Sequence, residues 1–180
     1  MTTGKKEPVD TLLLSDIHLG LDLARPEEIK KTLGKYDFNR LIILGDFFDN
    51  PASYIDFEER NLLDYIKEIA KKKETVWVHG NHDDGISEHF APKLGVALRQ
   101  EYEWGYKNEK FLAIHGHQFD DFIPHHEYIT EMASALLPYV KVKVLVKDSD
   151  ALTKAREGFQ RRGLPVDSIE FFVGYRLPSA

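Results

Sequence analysis

Cysteine is absent from this 180-residue chain, which excludes a disulfide framework and any thiolate metal site. Long apolar runs are missing as well. None approaches the ~18 residues that cross a bilayer, and the opening MTTGKKEPVD has no apolar core of a signal peptide. A cytoplasmic protein is the expectation. Nor is there a surplus of base: 24 Lys+Arg stand against 30 Asp+Glu, a formal net charge of −6. That balance speaks against a protein that coats nucleic acid with a basic face. It leaves open an enzyme that handles one phosphate through bound metal. What is present is ordinary for a globular chain, with 42% hydrophobic and 30% charged residues. The length fits a single domain over 1–180. Of the eight histidines, all but His18 lie between residues 79 and 126.

Short apolar runs that end abruptly in polar residues read as buried strands. DTLLLSD (10–16), NRLIILGD (39–46) and ETVWVHG (74–80) fit that description. Between them, Pro26 and the acids after it predict a helix over 25–36. Apolar residues at helical spacing predict another over 55–73, and 86–95 reads as a short helix closed by Gly95. The order β-α-β-α-β-α is that of a layered α/β domain with a largely parallel sheet. The stretch 96–116 predicts a hairpin or meander turning near Gly105 and Asn108. From 119 to about 163 the pattern reads as helical, broken at Pro138, and a last strand covers 168–173.

Ligands of open α/β sheets gather at the carboxyl ends of the strands. The first three strands end in Ser15-Asp16-Ile17-His18, Gly45-Asp46-Phe47-Phe48-Asp49-Asn50 and His79-Gly80-Asn81-His82-Asp83-Asp84. A fourth apolar run ends in His115-Gly116-His117-Gln118-Phe119-Asp120. Asp16 and His18 are two apart, so in extended backbone both leave from one side and can share a cation. The two oxygens of Asp46 can bridge two cations. Asn81 offers an amide oxygen, and His115 a second imidazole. Oxygen and nitrogen donors without sulfur suit Mn, Fe, Co, Ni or Zn. Each motif alone has a plain structural reading: an aspartate at a strand end often caps a helix. His79 is expected to hydrogen-bond beneath the site, and His125-His126 to lie on a solvated helix face.

Taken in order, SDIHLG, GDFFDN, GNHDD and HGHQFDD resemble the successive blocks of the calcineurin-like metallophosphoesterase superfamily. The HGNHD and HGHQFD blocks, with an apolar insertion after them, are most similar to its UDP-2,3-diacylglucosamine pyrophosphatase branch. The resemblance implies two divalent ions, manganese foremost. Asp16 and His18 would hold one, Asn81 and His115 the other, and Asp46 would bridge both. It implies that metal-activated hydroxide attacks phosphorus of a phosphodiester or pyrophosphate. His82 would act as leaving-group acid or charge stabiliser, with Asp83 orienting its ring, and His117 and Asp120 would contact the substrate. The implied partner is a phosphorylated small molecule or lipid-linked sugar nucleotide, with peripheral contact at the inner membrane face. The insertion at about 120–163 would be a lid for acyl chains; the competing reading is core packing, with the Val-rich half of 131–146 a strand.

One block departs from the pattern. The family has G-H-x-H after the last core strand, whereas this chain has Gly174-Tyr175-Arg176-Leu177-Pro178. Arginine cannot ligate a cation, and tyrosine must first lose a proton of pKa ~10. The expected second sheet is accordingly incomplete. Two further readings follow: a metal-poor, non-catalytic member that self-associates through its missing strands, and a nuclease, since similar blocks occur in DNA-processing members.

Overall fold

Runs of leucine, isoleucine and valine form the first strands, and a computed structural model shows how they pair. It describes residues 6–22, 24–50, 54–117, 142–146, 149–161, 169–173 and 176–178. Contacts group these into two units, 1–99 with 175–180, and 100–174.

The first unit holds β1 (Glu7–Ser15), α1 (Pro26–Leu33), β2 (Tyr36–Leu44), α2 (Phe57–Ala70), β3 (Glu74–Val78), α3 (Ser87–Leu94) and β4 (Ala97–Arg99). Its sheet order is β4-β3-β2-β1, parallel throughout, with β9 (Arg176–Pro178) antiparallel on the outer side of β1. Four consecutive residues of β2, Leu41–Leu44, are buried, as expected of a parallel strand covered on both faces. The helices end where local chemistry dictates. Pro26 opens α1, and Gly95, at φ 73°, closes α3 in the left-handed region that glycine tolerates. A capping box starts α2: Asp56 accepts from Glu59 N–H, and Glu59 accepts from Asp56 N–H. The other oxygen of the buried Glu59 accepts from Gly20 N–H at 2.6 Å. One carboxylate therefore joins the start of α2 to the loop after β1.

The second unit holds β5 (Tyr102–Tyr106), β6 (Glu109–Ala113), β7 (Val142–Val146), α4 (Ser149–Arg161) and β8 (Ile169–Val173). The sheet runs β5-β6-β7-β8. Its first pair is a hairpin turning at Lys107 (φ 48°) and Asn108 (φ 63°), the two positive values of a type I′ turn. Trp104 stacks on its cross-strand neighbour Phe111, with centroids 5.2 Å apart. The other pairs are parallel, and α4 packs against β7 and β8.

The fold class is as expected: mixed α/β, a parallel sheet flanked by helices, and a second smaller sheet. Two expectations need correction. The helical reading of 119–163 holds for Ser149–Arg161 but fails at Val142–Val146, which is an inner strand of the second sheet. Valine at every second position suits a pleated strand better than a helix. Residues 118–141, with Asp120, His125 and His126, lie outside the described residues. The last strand was expected at 168–173, yet Arg176–Pro178 is a further strand, in the first sheet, with Leu12 opposite Arg176. Among the described residues, no helix is long and apolar enough to cross a membrane.

Burial, with the charge of Glu103 next, raises the Glu101 carboxyl above its ordinary value. Burial likewise raises Glu103, opposed by Lys110. A raised folded-state pKa gives stability that is full below the ordinary glutamate value and lost as pH rises through the raised one. Glu101→Gln should therefore raise the melting temperature at pH 7–8 by roughly a few degrees and change nothing near pH 4. Thermal melts across that range check it; equal effects at both ends would contradict it.

Candidate active site

Register places the strand ends side by side. Ser15 is opposite Leu44, and Leu44 is opposite Val78. The loops after β1, β2 and β3 therefore leave the sheet at one level, carrying Asp16 and His18, Asp46 and Asp49, and Asn81 to Asp83. The two loops nearest the centre are zipped together: His18 N–H donates to Asp46 O and Leu19 N–H to Phe47 O, both at 2.9 Å. Phe47 and Phe48 turn inward against Trp77, while Asp46 and Asp49 turn to the tip.

The backbone here is strained. Asp16 (φ 52°), His18 (φ 49°) and Asp46 (φ 48°) all lie in the left-handed region. Outside the hairpin turn at Lys107-Asn108, these are the positive-φ non-glycine residues among those described. Each costs on the order of 1–3 kcal/mol and persists where the surroundings over-determine it.

Asp83 supplies much of that over-determination. It is fully buried. Its Oδ2 accepts from Asp46 N–H (3.0 Å), Gly80 N–H (2.8 Å) and Trp77 Nε1–H (3.0 Å), and its Oδ1 from Phe47 N–H (3.1 Å). Burial pushes its pKa up, while the donors from Gly80 and Trp77 pull the other way. Gly80 completes the arrangement by close approach. A Cβ there would stand 2.3 Å from both the nitrogen and the Oδ1 of Asp46, so any side chain displaces the carboxylate.

Around Asp46 the polar groups converge. Its Oδ1 accepts from His82 N–H at 3.0 Å, and its Oδ2 lies 3.8 Å from His18 Nε2. The rings of His18 and His82 meet edge to face, 5.0 Å between centroids. His82 Nδ1 is 2.8 Å from the Asp49 carbonyl oxygen, a contact that requires the proton on Nδ1 and leaves the Nε2 lone pair free in the neutral ring. Asp49 Oδ1 is 3.4 Å from His18 Nδ1 and 3.9 Å from His82 Nδ1. Asp49 thus faces both imidazoles, an orienting position expected of Asp83. The Asp83 oxygens instead accept from the backbone N–H groups of Asp46, Phe47 and Gly80 and from the Trp77 indole.

The other expected residues are placed as follows. One carboxylate oxygen of Asp16 lies within 4.8 Å of one of Asp46. Asn81 is exposed on the turn after β3. His79 is buried beneath, its Nε2 3.2 Å from Asp84 Oδ1, as expected for a supporting group. In the second unit, His115 follows β6, its Nδ1 3.1 Å from that of His117. Asp120 lies outside the described residues. Sequence reasoning passed over Asp49 and Glu59. The signal for Asp49 was its place three residues after Asp46 in one strand-end block; for Glu59 it was the D-x-x-E spacing of a capping box.

The donor set fits a divalent cation. Ligand atoms of His18, Asp46 and His82 all lie within 4.8 Å of one another, and mixed imidazole and carboxylate donors suit borderline divalent metals.

Comparison with known proteins bears on the family and the fold. The sequence profile of the calcineurin-like phosphoesterases matches residues 10–156. A UDP-2,3-diacylglucosamine hydrolase of Shewanella pealeana is 34% identical over 99 residues, 51% of this chain and 40% of that protein. One from Shewanella piezotolerans is 33% identical over 115 residues, 59% of this chain and 47% of that protein. The chain thus matches less than half the length of either relative. In fold it is similar to a protein of unknown function from Aquifex aeolicus, at a TM-score of 0.57 and 14% identity, covering 91% of this chain and 88% of that one.

Asp83→Ala orphans four buried donors, at about 1–3 kcal/mol for each left unsatisfied. Asp83→Asn can keep an oxygen toward three of them. Thermal melts should rank the wild type above Asp83→Asn, and that above Asp83→Ala, at about 2–4 °C per kcal/mol. Equal melting of all three would remove Asp83 from this role. In Gly80→Ala, the displaced Asp46 should lower the melting temperature by several degrees, as over-packing does.

Proposed function

The chain belongs to the calcineurin-like phosphoesterase family, and we propose that it hydrolyses a phosphodiester or pyrophosphate bond with divalent metal bound at the tips of β1, β2 and β3. The observation that carries the proposal is the convergence of His18, Asp46 and His82 on strained backbone locked from below by Asp83.

Asp16, His18 and Asp46 would hold metal, with Asn81 as a further donor. Divalent cations bound there supply positive charge for the phosphate oxygens and lower the pKa of water toward neutrality. The protein's own groups do the rest. Asp46 is held in one orientation by its backbone, because its N–H is fixed on Asp83 and its Oδ1 on His82 N–H. His82 has its Nδ1 proton on the Asp49 carbonyl, so a proton taken up or given at Nε2 does not require the ring to turn. As an imidazolium it stabilises charge on the leaving oxygen or passes that oxygen a proton. Asp49 fixes the ring that does this and faces His18 as well.

For the substrate, the names of the two Shewanella relatives support a sugar nucleotide that carries acyl chains, such as UDP-2,3-diacylglucosamine. The net charge of −6 gives no support to a nucleic-acid track.

Protein loaded with Mn²⁺ should hydrolyse bis(p-nitrophenyl) phosphate, and Asp46→Ala should lose at least about 100-fold in kcat/KM, since losses from groups merely supporting a ligand cost about 10–100-fold. Equal slow rates for both proteins would remove catalysis from this site. UDP-2,3-diacylglucosamine should be turned over in preference to single-stranded DNA; the reverse preference would favour the nuclease reading.

A further inference from the structure

The start of α2 reaches the loop after β1 through one side chain, and, resting on the metal-site reading above, we infer that Glu59 is the positioning residue for His18. All the residues involved belong to the first unit. Glu59 completes the capping box of α2 with one oxygen, Oε2, which accepts from Asp56 N–H at 2.9 Å. A capping-box glutamate needs no more than that, and can provide it at the surface. Glu59 is instead only 4% exposed, and burying a carboxylate is costly unless its oxygens are hydrogen-bonded. Capping does not account for that burial. The second oxygen does: it crosses to the loop after β1 and accepts from Gly20 N–H at 2.6 Å, the short distance of a charge-assisted bond.

Gly20 lies two residues after His18. Along this loop, His18 N–H donates to Asp46 O, Leu19 N–H to Phe47 O and Leu21 N–H to His18 O. Those bonds tie the loop to its neighbour after β2 or to itself. The bond from Gly20, at φ 96°, ties it to a helix whose Leu62 and Ile66 are fully buried in the core. His18 itself sits at φ 49°, where a residue with a side chain stays only if its surroundings hold it. Its ring is 26% exposed, so packing alone does not fix it. Asp46 holds the His18 backbone on its N–H side, and Glu59 holds the chain on the other side from a rigid element, as a precise ligand requires.

Three variants separate this role from helix capping. Gln serves a capping box as Glu does, so Glu59→Gln keeps the cap and turns its amide nitrogen toward Gly20 N–H, donor against donor. Glu59→Asp keeps the charge on an arm one methylene shorter. Asp56→Ala removes half of the cap, leaves the bond to Gly20, and should lower the melting temperature by roughly a few degrees. In calorimetric titration of metal-stripped protein, both Glu59 variants should raise the Mn²⁺ dissociation constant about tenfold, as loss of a ligand's supporting partner does. Asp56→Ala should keep the wild-type value. In a His18→Ala background, Glu59→Gln should weaken binding no further, because the two act through one ligand. Long-range ¹H–¹⁵N NMR of the metal-free proteins reads the ring directly: the His18 cross-peaks, identified by their loss in His18→Ala, should shift in both Glu59 variants and not in Asp56→Ala. Affinity that merely tracks melting temperature across the three variants, or an undiminished effect of Glu59→Gln without His18, would overturn the inference and leave the metal site intact. If the wild type binds no Mn²⁺, the metal reading fails instead, and the ring signals still decide whether Glu59 positions His18. Glu59→Asp carries the test if Glu59→Gln melts below the assay temperature.

Discussion

Four N–H groups converge on the Asp83 carboxylate, and the candidate site depends on that convergence. Two of the donors, from Asp46 and Phe47, belong to the loop after β2; the other two, from Trp77 and Gly80, belong to β3 and its exit. A buried carboxylate with fewer partners would be costly. With four it becomes a clamp between neighbouring strand ends. The clamp explains why Asp46 can sit at φ 48°, and why position 80 has no room for a Cβ. Asp46 in turn fixes its neighbours, holding His18 N–H through its carbonyl and His82 N–H through its carboxylate. The left-handed backbone at His18 and Asp46 is thus tied by hydrogen bonds to its neighbours.

Much of the fold was legible because its signals are local. Apolar runs ending in polar tips marked β1, β2 and β3, and helical spacing marked α2. The parallel register then brought the marked tips to one level without further information. What was missed is non-local or ambiguous. That Asp83 would serve three backbone donors and the Trp77 indole, rather than the ring of His82, depends on how closely two strand exits approach, which no pattern in either segment encodes. Asp49 was visible as part of its block but gained a role only once His18 and His82 were placed on either side of it. Val142–Val146 could follow either period over so short a run, and pairing with β6 and β8 decided for a strand. For Arg176–Pro178, three residues with a proline carry too little signal, and the pairing with β1 arises from the far end of the chain.

Function is tied to these same constraints. A phosphoester hydrolase must hold charged groups where phosphate charge accumulates, without letting them relax onto one another. Here the restraint comes from backbone amides and buried aromatics, Phe47 and Phe48 against Trp77, rather than from long charged side chains. It leaves one ligand-type atom each of His18, Asp46 and His82 within 4.8 Å of one another.

The most direct measurement is calorimetric titration of metal-stripped protein with Mn²⁺, for the wild type beside His18→Ala and Asp46→Ala. Saturable binding that both variants weaken, with Asp46→Ala the more severe, is the predicted result. Binding that is absent in the wild type, or indifferent to both substitutions, would contradict a metal centre at the tips of these strands.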